Sequence, residues 1–285
     1  MRSCYPVLAL LLWMAVVPAS AQPSKIFLAS FGNDASDGGR LTPKRSLQAG
    51  HDAVAAGGTL VILDTAGYGA LAITKSLNVT VPPGVNGFVT VSGTANGISI
   101  SAGAADTISL RGLIIEGGGT ATNGGNGILA SKAGALIVED CLIRNFYNGV
   151  LFDGANTSRL VVRGGAVRNV QYGYTAQTSA VGATVTAVID NVTVTDASVR
   201  AISTFAAAGA TTGMAVRDCT VVRSGNGLRV SGSTIVAEGC TLDGNTYAFF
   251  KTADSGTIIS RGTNTLINNT NKINAPNTVT VQAGE

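Results

Sequence analysis

Short apolar runs alternate with polar positions along most of this chain, and the alternation has period two. Such a pattern places successive side chains on opposite faces of a strand. Seven runs are alike: SLRGLII, IVEDCLI, VVRGGAV, VIDNVTV, AVRDCTV, VAEGCTL and ISRGTNT. Each carries one charge, then a one-residue corner, then a position from the column Leu113, Cys141, Gly165, Val192, Cys219, Cys240 and Thr263. Differences of residue number along that column are 28, 24, 27, 27, 21 and 23. A unit recurring at such a period marks a solenoid, in which no repeat can bury its apolar face alone. Strand-like units make this solenoid a β-helix.

A second signature opens each unit, a small residue followed by an apolar one. It runs Gly97-Ile98, Gly127-Ile128, Gly149-Val150, Gly173-Tyr174, Ala201-Ile202, Gly227-Leu228 and Ala248-Phe249. Alternation then points Ile98, Ile100, Val150, Phe152, Leu228 and Val230 inward. Each coil therefore has an opening strand, a variable loop, a second strand ending at the charge, a corner and a third strand. The corners are Gly112, Asp140, Gly164, Asn191, Asp218, Gly239 and Gly262, all residue types that tolerate positive φ. The predicted fold is all-β, a parallel β-helix of eight to nine coils.

Other elements complete this outline. Lys25–Ser30 is a first strand, and Ser46 N-caps a short helix over 47–56 that closes the open end. Strands follow at 59–64, 70–74, 77–81 and 88–93. Insertions fall at 117–126 and 179–186, the pattern lapses over 268–277, and 278–281 is a final strand. The boundaries expected are a signal segment over 1–21, a cap over 22–58 and the solenoid over 59–285, cap and solenoid forming one domain.

The charges at the corner alternate in sign: Arg111, Glu139, Arg163, Asp190, Arg217, Glu238 and Arg261. Stacked coils bring equivalent side chains to about 4.8 Å. Seven like charges at that spacing would repel, whereas alternating signs give each charge opposite neighbours. The column is read as a structural charge ladder. Its three acids stand two coils apart with Arg between, and Arg neighbours depress carboxylate pKa values, which opposes a general-acid role.

The N-terminus reads as an export signal. Arg2 precedes an apolar run, and Ala19-Ser20-Ala21 forms an A-x-A cleavage site. Export to the periplasm, the cell surface or the medium is expected, with no membrane span in the mature chain. The formal net charge of +3 includes Arg2, and no Lys/Arg cluster occurs, so a nucleic-acid partner is not expected. Four cysteines occur, and Cys4 departs with the signal. Cys219 and Cys240, on adjacent coils, are either two buried thiols or a disulfide; Cys141 is a buried free thiol.

The chain resembles exported bacterial β-helix proteins of the pectin-lyase-like superfamily. The carriers are SFGNDASDG (30–38), SLQAGHDAVAAGGTLVILDTAGYGALAITKSL (46–77) and repeats such as LIVEDCLIRN (136–145). The resemblance implies a right-handed parallel β-helix; its members include lyases, hydrolases, epimerases, adhesins and proteins of unknown role, so it implies no single activity. Members often carry a cysteine pair in the loop before the helix, where this chain has other residues, Lys44 among them. An enzyme of this group would place its site on the outward face of one sheet. Polysaccharide cleavage needs calcium-holding carboxylates with a base, or paired carboxylates. The outward positions of the opening strand are Ser99, Leu129, Leu151, Thr175, Ser203, Arg229 and Phe250, with no acid among them. Asp153 lies just beyond and stands alone.

Leu129, Leu151, Thr175, Arg229 and Phe250 are the candidate ligand-binding residues, with Tyr172 and Tyr247 preceding the same strand. An exposed row of this kind suits a polysaccharide or surface glycan. No catalytic or metal-ligating residue is assigned. His51, the one histidine, beside Asp52, is read as part of the cap. Asn33-Asp34-Ala35-Ser36-Asp37-Gly38 is read as an Asx-rich turn, with calcium near Asp34 and Asp37 as the alternative. The expected function is non-catalytic binding of a polysaccharide or surface component. The alternatives are a lyase, hydrolase or epimerase with a loop-built site, and a structural envelope protein.

Overall fold

The computed structural model describes residues 22–118, 124–252 and 256–282. The expected signal segment and the middle of the 117–126 insertion lie outside them. The chain winds as a parallel β-solenoid of about eight turns with one short helix near its N-terminus. Eleven strands, from Lys25–Leu28 to Thr280–Gln282, pair in parallel to form one sheet. A second, 15-stranded sheet wraps the remaining two faces.

That wrapping depends on three long strands, Leu142–Asp153, Ala166–Thr178 and Thr193–Ala206. Each turns a corner without leaving the sheet, at Asn145 (φ 65°), Asn169 (φ 50°) and Asp196 (φ 58°). The next coils bend at Arg223, Gly244 and Asn268, also at positive φ. Short Asn and Asp side chains visit this region at low cost. This second corner column was not anticipated, although its residue types repeat with the coil. At Arg223 the unusual backbone is accompanied by a two-pronged pairing to Asp196, with Nε and Nη2 donating at 2.9 and 3.0 Å. At the corner expected from the sequence, Gly112, Asp140, Gly164, Asn191, Asp218 and Gly239 all have positive φ. Gly262 does not.

Inward residues of the opening strands are at most 1% exposed, from Ile98 and Ile100 through Val150, Phe152, Leu228 and Val230. They join one core cluster that runs the length of the molecule. Cys141, Cys219 and Cys240 are free and buried. Cys219 donates to the carbonyl of Arg217 at 3.0 Å and Cys240 to that of Glu238 at 3.3 Å. Burial pushes the Cys141 thiol up to about 12.

The charges fall in strict parallel register: Arg111 beside Glu139, then Arg163, Asp190, Arg217 and Glu238. Arg261 lies one coil on and pairs with Gln282 on its far side. The contacts are loose. Arg163 approaches Glu139 at 3.8 Å, and Arg111 reaches the corner residue Asp140 at 3.9 Å. Solvent screens such half-exposed charges, so any effect of the column is expected on register more than on stability. Arg163→Glu puts a third acid between Glu139 and Asp190 and is expected to cost about 1 kcal/mol. Arg261→Glu meets one acid and costs less. Equal shifts in the two melting temperatures would remove the ladder as a cause.

The helix spans Leu47–Ala53, with Ser46 accepting from the Ala49 N–H at 3.2 Å. It ends three residues before the position expected from the sequence, because Val54 turns extended and buries completely. Gly50 lets the helix approach closely; a Cβ there would lie 3.1 Å from both Leu28 and Leu60. His51 is buried, taking a hydrogen bond from the Thr74 N–H at Nε2 and facing Asp52 through Nδ1 at 2.9 Å. The Lys25–Leu28 strand belongs to the solenoid, pairing with Thr59–Ile62. Near the C-terminus the coil persists where the pattern lapses: Asn271–Ile273 pairs with the Tyr247–Lys251 strand.

Candidate functional site

The opening strands build one face of the solenoid, and their outward residues form an unbroken column. Ser99 sits beside Leu129, then Leu151, Thr175, Ser203, Arg229 and Phe250. All of the candidate binding residues thus share one file across adjacent coils. Their environments differ. Leu129, Leu151, Arg229 and Phe250 are half-buried, whereas Thr175 and Ser203 are 1% and 3% exposed and hydrogen-bond to each other at 3.0 Å. Thr175 therefore forms part of the floor, not an exposed contact.

A second column runs beside the first: Asn126, Asn148, Tyr172, Arg200, Asn226, Tyr247 and Asn271. Its first part is an amide ladder. Asn126 donates to Asn96 at 2.8 Å, and Asn148 to Asn126 at 2.6 Å. Its middle part is aromatic and basic. Tyr147 meets Tyr172 edge-on, with ring centres 5.0 Å apart, and the Arg200 guanidinium lies 4.1 Å from the Tyr172 ring centre. The pairing register shifts between Val170 and Tyr172, so the partner strand carries one extra residue just before Arg200. Such bulges re-aim side chains next to sites. On the neighbouring coils Arg229 lies 5.6 Å from the Phe250 ring centre, and Phe250 meets Tyr247 edge-on.

Between the two arginines the small Thr175 and Ser203 leave a cleft of about 280 Å³, lined also by Gln177, Thr204, Phe205 and Ser231. Among the described residues no carboxylate lines it. Arg229 donates from Nη2 to Thr252 at 3.2 Å, but the Nε atoms of Arg200 and Arg229 are buried without a hydrogen-bond partner. Burial, and then the neighbouring Arg229, hold the Arg200 guanidinium below the usual arginine value. It remains a cation, since arginine does not lose its proton in proteins.

Arg200, Tyr147 and Gln177 were not among the residues expected from sequence. Arg200 had a signal, because it occupies the position of Tyr172 and Tyr247, directly before the small-then-apolar pair. Tyr147 had none, because its ring reaches the site only through contact with Tyr172. Asp153 lies one coil from the cleft, beside Gln177 in the ladder.

The N-terminal loop holds no comparable arrangement. Lys44 is 7% exposed, and its ammonium donates to the carbonyls of Asp34 and Ser36, both at 2.8 Å. A cation already occupies the position between those oxygens. Asp34 accepts from the amides of Arg45 and Ser46 and from the Ser46 hydroxyl, all at 2.8 Å. Burial raises its carboxyl, but these bonds and Lys44 outweigh burial and leave it below the usual value. Asp37 bonds to Thr42 and to the Gly39 amide. Among the described residues no three His, Cys, Asp or Glu side chains gather as metal ligands. No helix among them is long and apolar enough to cross a membrane.

No family model matches this chain, and no curated protein does. Among solved structures, an alginate lyase from Paenibacillus sp. str. FPU-7 aligns with a TM-score of 0.42 and 11% identity, covering 84% of this chain and 96% of that one. Likeness of that degree says nothing about chemistry, which rests here on the residues of the opening face.

Proposed function

We propose that the protein is exported and binds a polysaccharide along the opening face without cleaving it. The observation that carries this reading is the cleft between Arg200 and Arg229, with free guanidinium donors and flanking aromatic rings on one continuous face. Rings of Tyr147, Tyr172, Tyr247 and Phe250 offer apolar surfaces to sugar rings, and the arginines supply hydrogen bonds that orient them. The A-x-A site after the apolar N-terminal run supports export.

Hydrolysis needs paired carboxylates or an equivalent acid–base pair, and among the described residues the cleft lining offers no acid. Asp153, beside Gln177, favours one further reading, an enzyme whose remaining groups come from the loops. Affinity electrophoresis against a polysaccharide panel, with fragment analysis of every bound polymer, separates the two. Binding without fragments is expected, and Tyr172→Ala should weaken it about tenfold through lost stacking area. Accumulating oligosaccharides would replace the binding reading with the enzyme, and absence of binding to any polymer would end both.

A further inference from the structure

We infer that Arg200 and Arg229 form a receptor for a tetrahedral oxyanion, the sulfate or phosphate ester of a glycan. The glycan part of this inference rests on the binding function proposed above; the anion receptor stands on its own geometry. Four other arginines have acidic partners: Arg111 with Asp140, Arg144 with Glu116, Arg163 with Glu139 and Arg223 with Asp196. Among the described residues Arg200 and Arg229 have none. They come from successive coils, line one cleft, and keep both Nε donors buried without partners. Burying a donor with no acceptor is unfavourable, and two adjacent cations repel each other besides. An anion in the cleft offsets the repulsion and offers both guanidinium groups an acceptor.

The chemistry of that anion follows from charge, shape and size. A phosphate monoester supplies up to two negative charges to the two cations; a sulfate ester carries one, as a carboxylate does, so shape rather than charge separates those two. A planar carboxylate is matched by a single guanidinium fork lying in its plane. Two forks arriving from different coils suit an anion that presents a separate oxygen edge to each, which a tetrahedral ester group does. Gln177 and Ser231 add neutral polar groups to the lining, and among the described residues no acid there opposes an anion. The volume, about 280 Å³, lies at the lower edge of small-molecule sites, which span about 300–1,000 Å³. It accommodates a substituent, while the rest of the polymer lies along the aromatic rings.

The test is equilibrium binding to the mature protein at fixed ionic strength, because surface electrostatics alone depends on salt. The probes are sodium sulfate, sodium phosphate, dextran sulfate, a phosphorylated mannan, polygalacturonate, and unmodified dextran and mannan as neutral glycans. One of the two ester polymers is expected to bind at least about tenfold tighter than polygalacturonate, with the matching inorganic anion competing. Arg200→Lys and Arg229→Lys keep the charge but lose the fork, so each should weaken binding about tenfold. Arg168→Lys, on another face, should leave it unchanged. Polygalacturonate binding as tightly as the esters, or undiminished ester binding by both lysine variants, would overturn the receptor. Inorganic anions that bind and are lost with the lysine variants support it even if no polymer binds, and that outcome would end the polysaccharide reading alone. A neutral glycan that binds in preference to every anion would end the receptor and leave the polysaccharide reading in place.

Discussion

Replacing Gly165 by alanine is expected to lower stability by about 3 kcal/mol or more, from strain at a disfavoured φ and loss of a close backbone contact. Gly165 has φ +77° and follows Gly164 at φ +64°. Two successive left-handed residues carry the chain around this corner, where neighbouring coils use one. An L side chain at that φ costs about 1–2 kcal/mol by itself. The added Cβ would also fall on the Cys141 carbonyl oxygen and lie 2.8 Å from the Cys141 nitrogen. That carbonyl cannot retreat freely, because it accepts from the Ala166 N–H at 2.9 Å. For a protein of this size the change corresponds to a fall of roughly 6–12 °C in melting temperature. Gly213→Ala is the comparison. No atom lies within 4 Å of its Cβ position and its φ is ordinary, so the same substitution should be neutral or stabilise by about 0.5 kcal/mol. Melting curves that place the two variants together would refute the close-approach explanation.

Lys44→Met should loosen the N-terminal cap at a cost of about 2–3 kcal/mol, since two hydrogen bonds from a cation are lost at a buried position. The methionine fills the channel but donates nothing to the Asp34 and Ser36 carbonyls. The backbone at Lys44 also bridges to Leu28, and its carbonyl accepts from Ala29 at 3.0 Å, so disorder there reaches the first strand. Hydrogen exchange locates the effect. The Arg45 and Ser46 amides, bound to Asp34, should exchange faster, while amides of the central coils keep their protection. Unchanged exchange over 31–46 with an unchanged melting temperature would show that the loop is held by its turns alone.

Lys44 is instructive because the resemblance to the pectin-lyase-like group marked its loop as lacking the usual cysteine pair. The missing covalent link raised the question of what holds the loop. The answer is an internal ammonium and the Asp34 carboxylate, both satisfied by backbone groups far apart in sequence. Neither residue type announces this in a polar, glycine-rich stretch, where Lys and Asp ordinarily face water. The same distance separates the candidate site from the sequence. The file from Leu129 to Phe250 was legible, because strand alternation and coil period fix which residues stack. The cleft within it was not legible. It arises where two small residues, Thr175 and Ser203, meet two long ones from neighbouring columns, and a one-residue bulge sets the position of Arg200.

By itself the amino-acid sequence determined the solenoid, its inward columns, the first corner and the charge register. These follow from local rules: period-two alternation, residues tolerant of positive φ, and a repeat length that returns equivalent positions to one line. Only the tertiary structure decided the second corner column, the end of the helix at Ala53, the role of Lys44 and the pairing of Arg200 with Arg229. The second corner follows the repeat, but only the backbone shows that the long strands bend there without leaving the sheet. The helix end, Lys44 and the arginine cleft depend on packing between elements that no repeat encodes.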